Sequence, residues 1–221
     1  MDALEAIRKR RSVRRYTDRP VADADLDELL RLALLAPTDS MSQAWSLIAV
    51  RDRATREAIS ELVIRGGGEY FGTVRPPPEG MSPEEHREWG LSYARETLGS
   101  YPKAPVWVIG LLVPRAVFPP ARASWERDAH MTSVGFMMEN LFVAARAKGL
   151  GTVPTVFHWF VEDEFRTLLS IPDEVEIPII TPLGYPEEFP TSLPPALKRI
   201  RRPWRSLVHD DRWGNARQNG G

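Results

Sequence analysis

The chain has 221 residues, no cysteine, 43% apolar side chains and a formal charge of −1. Such a length and apolar content suit one large domain with a buried core and exclude a disordered chain. Without cysteine, disulfides, thiolate nucleophiles, iron–sulfur clusters and cysteine zinc sites are all excluded. No apolar run approaches the ~20 residues of a spanning helix, and the charged N-terminus lacks a signal-peptide core. A cytoplasmic location without membrane contact is expected.

In chain order, a first helix is expected over 3–10, with Asp2 and Glu5 spaced as a capping box. A second should run from about Asp25 to Ala36, because Leu26, Leu29, Leu30, Ala33 and Leu34 keep helical spacing. Asp25 with Glu28 reads as its capping box, and Pro37 as its stop. After the polar loop 38–44 comes a strand over 46–50. A helix over 54–65 is expected to end at Gly66-Gly67-Gly68, and the glycine- and proline-rich stretch 66–82 to be mobile. Ser82-Pro83-Glu84-Glu85 starts a further helix reaching about Gly99.

Residues 106–112 read as a buried strand, and 129–148 as the clearest helix, with Gly149 as its C-cap. A strand near 151–157, a short helix over 162–170 and a strand over 177–183 complete the ordered part. Pro178 and Pro182 suit an edge or irregular strand. The pattern is α+β, a mixed sheet flanked by helices in one domain over 1–221, with no internal repeat. The polar end of the chain, 214–221, is expected to be disordered unless it embraces a partner subunit.

Catalytic signatures are mostly missing. His86, His130, His158 and His209 lack metal-ligand spacing. The sequence Gly149-Leu150-Gly151-Thr152 follows a helix and lacks a third glycine, which rejects dinucleotide binding of the Rossmann type. Neither a P-loop nor a G-x-S-x-G elbow occurs. What stands out is charge. Residues 8–19 hold seven arginines and lysines against one acid, and 198–205 hold five against none. Two short clusters in a neutral protein point to a compact anion rather than to nucleic acid. In an extended stretch Arg10, Ser12 and Arg14 face one way, a suitable clamp for a phosphate or a polar ring, while Arg11, Val13 and Arg15 face the other, with Val13 packing inward or against a partner.

Five stretches in register resemble the FMN-dependent nitroreductase family. They are Arg10-Arg11-Ser12-Val13-Arg14, then Ala36-Pro37-Thr38 through Gln43-Ala44-Trp45, then Glu139-Asn140-Leu141 through Gly149-Leu150-Gly151-Thr152. Ile171-Pro172-Asp173 with Leu183-Gly184-Tyr185-Pro186 and Arg201-Arg202-Pro203 follow. Where many members carry asparagine and Gln-Pro-Trp, this chain has Met41 and Gln43-Ala44-Trp45. Substitutions in that loop also occur in branches resembling iodotyrosine deiodinase and benzimidazole synthase.

The resemblance implies a nitroreductase-like fold, an intertwined homodimer with FMN at the interface, and NAD(P)H as electron donor. By position, Arg10, Arg11, Ser12, Arg199 and Arg201 would hold the FMN phosphate region, with Arg14 near the pyrimidine. Pro37 and Thr38 would reach the flavin of the other subunit, Gln43 would be a further cofactor-binding residue, and Pro154, Thr155 and Val156 would lie along the ring, with Thr155 the polar candidate near N5. A flavin carries its own chemistry, so the missing protein nucleophile is expected. The implied reaction is ping-pong reduction of a nitroaromatic, quinone or similar small acceptor, with 66–99 as a lid. The alternatives are a specialised flavoenzyme (dehydrogenase, dehalogenase or oxygen-using) and a flavin-binding protein without turnover.

Overall fold

The computed structural model describes residues 1–115, 123–193 and 195–217. These form two compact units, Met1–Phe189 and Pro190–Gly221.

The first unit is built on a four-stranded sheet in the order β1-β2-β4-β3. Its strands are β1 (Trp45–Val50), β2 (Val106–Leu112), β3 (Gly151–Thr152) and β4 (Glu176–Gly184). All three ladders are antiparallel, and the parallel component is a bridge between Ser12 and Thr152. Strand β2 is apolar throughout because helices cover both faces of the sheet. Trp107, Ile109 and Leu111 enter one cluster, and Val106, Val108 and Leu112 the other, as the two-residue period requires. The first cluster packs under α3 (Arg53–Glu69) and α4 (Pro83–Leu98), through Ile59, Val63, Ala94 and Leu98. The second packs under α2 (Asp23–Ala33) and α5 (Ala123–Ala147), through Leu26, Leu29, Met137 and Leu141.

Helix α1 (Ala3–Lys9) begins as expected, with the Glu5 N–H donating to Asp2 Oδ1 at 2.8 Å. Ser82 and Glu85 form the expected reciprocal capping box of α4. Gly149, at φ 78°, lies just beyond α5 in the left-handed region. Helix α2 departs from expectation: it starts at Asp23 behind Ala22, which makes no side-chain cap. Asp25 and Glu28 pair with Lys148 instead, tying α2 to the end of α5.

The largest correction is at Gly66–Gly68. These residues are buried inside α3, which runs on to Glu69 and passes into a π-turn, Tyr70–Val74. A β-carbon on Gly68 would press on Leu91, and one on Gly90 would lie 2.3 Å from the Gly72 nitrogen. The glycines are what lets α3, the π-turn and α4 pack backbone to backbone. Strand β3 covers only two residues, because the chain leaves the ladder before Thr155 re-pairs with Ile180. Strand β4 lies inside the sheet rather than at its edge. Pro178 sits at the register shift opposite Gly110–Leu112. Near Pro182, the Val153 N–H takes the Thr181 hydroxyl at 3.0 Å in place of a ladder carbonyl.

The second unit contains α7 (Pro195–Ile200) and a 3-10 turn, Trp204–Leu207. Near the end of the chain Ala216 bridges His209, and the Arg217 N–H donates to the Val208 carbonyl at 2.9 Å. Residues 218–221 lie outside the described residues. Among the described residues no helix is long and apolar enough to cross a membrane, and no group of three acidic, histidine or cysteine side chains could hold a metal ion.

Candidate functional site

The basic segment after α1 runs along the sheet. Val13 donates its N–H to the Thr152 carbonyl at 3.0 Å, and its side chain is buried against Gly151. A β-carbon on Gly151 would lie 2.7 Å from a Val13 methyl, so glycine is needed for this approach. Pairing at Ser12–Thr152 thus brings the Arg10–Arg14 segment beside the chain leading to Pro154–Val156, two stretches 140 residues apart in sequence.

The side chains divide their tasks. Half-buried Arg10 donates from Nε to Glu139 at 3.2 Å and lies 6.0 Å over the Phe142 ring. Glu139 belongs to α5 and was legible only as part of a motif, not as the partner of Arg10. Arg11 turns back instead: its Nη1 donates to the carbonyls of Arg8 (2.9 Å) and Arg10 (2.6 Å), closing the negative end of α1. Its guanidinium therefore caps a helix rather than pointing with Arg10. Arg14 is exposed, and Ser12 is half-buried.

In the 154–156 stretch the three residues are turned differently. Thr155 is buried, and both its backbone groups are spent on Ile180, at 3.0 and 3.2 Å. Its hydroxyl lies 3.5 Å from the Phe157 N–H. Thr155 is therefore turned into the sheet, and Pro154 (exposed) and Val156 (half-buried) face outward. His158, just beyond, is fully buried and hydrogen-bonds to the Ile177 carbonyl at 2.8 Å. Burial pushes its imidazole down to about 4, only partly opposed by that bond.

Among the described residues, positive φ outside glycine is concentrated in the loop between α2 and β1. Ser40, Met41 and Gln43 all have positive φ, at 45°, 56° and 48°. Each such residue other than glycine costs roughly 1–2 kcal/mol. Hydroxyls offset this from inside the loop: Thr38 Oγ1 lies 3.1 Å from Ser42 Oγ and accepts the Gln43 N–H at 3.0 Å. Arg115 donates to the Ser42 carbonyl at 2.8 Å, and the Asp39 N–H donates to Ser133 on α5 at 3.1 Å. Thr38 thereby shapes the loop, while Pro37, Met41 and Gln43 are exposed. Asp39 Oδ2 and His130 Nε2 are shielded and make no hydrogen bond among the described residues.

A wide apolar face adjoins Glu139. Leu4, Ile7, Leu32 and Leu35, from α1, α2 and the turn after it, are 37–73% exposed. A hollow of about 650 Å³ there also involves Val143 and Ala144 of α5. Contiguous exposed apolar surface of this kind marks an interaction face. In the second unit, Arg199 and Arg201 are exposed.

The model of the nitroreductase family matches residues 7–185 of this chain. The NADH dehydrogenase of Thermus thermophilus is 31% identical over 195 residues, spanning 85% of this chain and 88% of that protein. Among solved structures, iodotyrosine deiodinase bound to FMN and 3-iodo-L-tyrosine superposes with a TM-score of 0.65 at 25% identity, covering 87% of this chain and 94% of its own. NfrA2 of B. megaterium gives a TM-score of 0.70 at 22% identity, over 97% and 76% of the two chains, which supports the fold. With its basic segment laid along β3 and the family match running from α1 to the end of β4, the chain belongs to the nitroreductase family.

Proposed function

We propose that this chain is an FMN-dependent oxidoreductase that uses NAD(P)H to reduce a nitroaromatic, quinone or similar small acceptor. The carrying observation is the Ser12–Thr152 bridge, which aligns the Arg10–Arg14 segment with Pro154–Val156 on one sheet edge. Family membership and the FMN named with the iodotyrosine deiodinase structure support the same reading.

The donor set suits FMN. Arg10, held by Glu139 through Nε, keeps guanidinium N–H groups for a phosphate, and Ser12 adds a hydroxyl. Exposed Arg14 supplies a positive charge for an electron-rich ring edge. Exposed Pro154 and half-buried Val156 give the ring an apolar bed, with Thr155 between them as the polar residue of the stretch. Pro37 and Gln43 are the outward groups of the strained loop. Arg199 and Arg201, exposed in the second unit, are proposed as anion-binding residues on the family resemblance alone. Bound FMN would supply the redox chemistry at N5, and the donor and acceptor would use one pocket in turn.

The apolar face of α1, α2 and α5 is read as the surface that a second copy covers, giving a homodimer. Exposed Met41, at 77%, then marks where this chain differs from relatives with asparagine there. That difference, with the match to iodotyrosine deiodinase, favours a specialised acceptor as the second reading.

The test is direct. Protein purified with FMN should be yellow, absorbing near ~450 nm, and NAD(P)H should bleach it without oxygen until a nitroaromatic or quinone restores the colour. Protein that stays colourless after FMN is added and excess removed refutes the proposal. Flavin that NAD(P)H cannot reduce, but another substrate can, moves the assignment to the specialised flavoenzyme.

A further inference from the structure

Three residues of the 38–43 loop hold left-handed backbone without being glycine, and such conformations persist only where surroundings over-determine them. Most of the bonds that do so lie within the loop or come from its own neighbour: Thr38 to Ser42 and Gln43, and the Ser42 N–H to the Asp39 carbonyl at 2.7 Å. Among the described residues, two ties come from elsewhere. Arg115, just past β2, reaches the Ser42 carbonyl. The other comes from α5, where Ser133 is 4% exposed.

We propose that Ser133 is a positioning residue, its hydroxyl fixing the strained 38–43 loop so that Gln43 and the Met41 backbone are presented to ligand. The geometry is specific. Ser133 Oγ accepts the Asp39 N–H at 3.1 Å and donates its own proton to the Ala129 carbonyl at 2.9 Å. Both capacities of one buried hydroxyl are used, so its orientation is set from α5 and passed to the first residue of the turn. The Asp39 carboxylate does not share this task. Among the described residues its Oδ2 has no partner, and its Oδ1 receives only a 3.4 Å contact from the Ser40 hydroxyl. The hold therefore runs through the Asp39 main chain and the Ser133 side chain.

Such a tie does more than stabilise. Gln43 lies two residues before the start of β1 at Trp45, and its φ of 48° sets the direction in which the chain leaves the loop. Release at Asp39 lets Ser40 and Met41 relax to negative φ, which swings the exposed half of the loop. This inference rests on the FMN reading for its consequence, but not for the tie itself.

Ser133→Ala, Ser133→Thr and Asp39→Asn are compared with the wild type. The first readout is limited proteolysis at the exposed loop, which needs no cofactor. Cleavage near Met41 is expected several-fold faster in Ser133→Ala, restored in Ser133→Thr, and unchanged in Asp39→Asn. The second readout is the visible spectrum and FMN affinity of the loaded protein. Ser133→Ala is expected to shift the flavin band and bind FMN about tenfold more weakly, with unchanged far-ultraviolet circular dichroism. Where Ser133→Ala fails to fold, Thr38→Val loosens the same loop from its inner side and is expected to behave alike. Wild-type protection and spectrum in Ser133→Ala overturn the inference. So does an Asp39→Asn protein that is cleaved as fast as Ser133→Ala. A wild type that takes no FMN, yet shows the expected proteolysis pattern, overturns the FMN reading and leaves the tie standing.

Discussion

Replacing Gly66 by alanine sets two effects against each other. Gly66 is an interior residue of α3, and alanine is favoured over glycine in a helix by about 1 kcal/mol. Propensity alone therefore predicts a more stable protein. Packing predicts the reverse. An added β-carbon would stand 2.0 Å from the Phe157 carbonyl oxygen and 2.9 Å from its carbon, where ordinary contact begins at 3.4 Å. Either α3 or the Phe157 backbone must move by about 1.4 Å. Neither is free to do so, since Phe157 opens a 3-10 turn closed by the Trp159 N–H on the Val156 carbonyl at 3.0 Å.

Overpacking of a well-filled core costs typically 1–3 kcal/mol, and more when backbone must shift. The expected net loss for Gly66→Ala is about 2 kcal/mol after the propensity gain is subtracted. Gly67→Ala is the control. Its nearest obstacle is Leu98 Cδ1 at 2.8 Å, the end of a flexible side chain, so a loss below about 1 kcal/mol is expected. Urea unfolding, followed by circular dichroism and tryptophan fluorescence at constant slope, measures both. FMN titration reads the second consequence, because the displaced carbonyl is one residue from Val156. Gly66→Ala at or above wild-type stability, or less harmful than Gly67→Ala, would refute the packing argument.

Arg10→Ala should weaken FMN binding by about 1.5–3 kcal/mol, the range for charged hydrogen bonds, and Arg201→Ala by a similar amount. Unchanged affinity by titration in both would remove them from the phosphate site. His158 has a lowered pKa, so the unfolded chain binds its proton more readily than the folded one. Its contribution is complete above the unfolded value near 6.5 and is lost as pH falls towards about 4, by up to about 3 kcal/mol. Urea midpoints at pH 7 and pH 5 test this, and a His158→Gln protein with the same pH slope would assign it elsewhere. Leu35→Glu places a charge on the exposed apolar face, where Leu35 is 73% exposed. Sedimentation should show monomer; a dimer of undiminished stability would place the interface elsewhere.

What the sequence revealed, and what it hid, follows from the range of each interaction. The leucines of α2, the Val134–Ala145 stripe of α5 and the apolar run of β2 were legible because each reports burial through its own period. Val13 facing inward between outward arginines was legible for the same reason. Gly66-Gly67-Gly68 was read as a stop, since local entropy disfavours glycine in helices. Its helical state is fixed by Phe157, Leu98 and Leu91, which are 23 to 91 residues away. Thr155 was placed near the flavin by the family resemblance alone, and its pairing with Ile180 is a contact no local pattern carries.

The same reasoning separates the parts of the site. Arg10, Ser12 and Arg14 could be found because charge and alternation are local properties. Glu139, which orients Arg10, and Ser133, which holds Asp39, were hidden because each lies on α5 and acts on a partner about 94 or 129 residues away. Both positions fall on the helix that also borders the apolar face assigned to a second copy. A change of α5 position by a fraction of an ångström would therefore act on the phosphate arginine and the strained loop together. Coupling of cofactor affinity to dimer stability follows from this placement. Dilution that separates the copies should weaken FMN binding, whereas saturating FMN should tighten the dimer by the same factor. Sedimentation with and without FMN measures that factor, and equal dimer stability in the two states would show that α5 does not couple them.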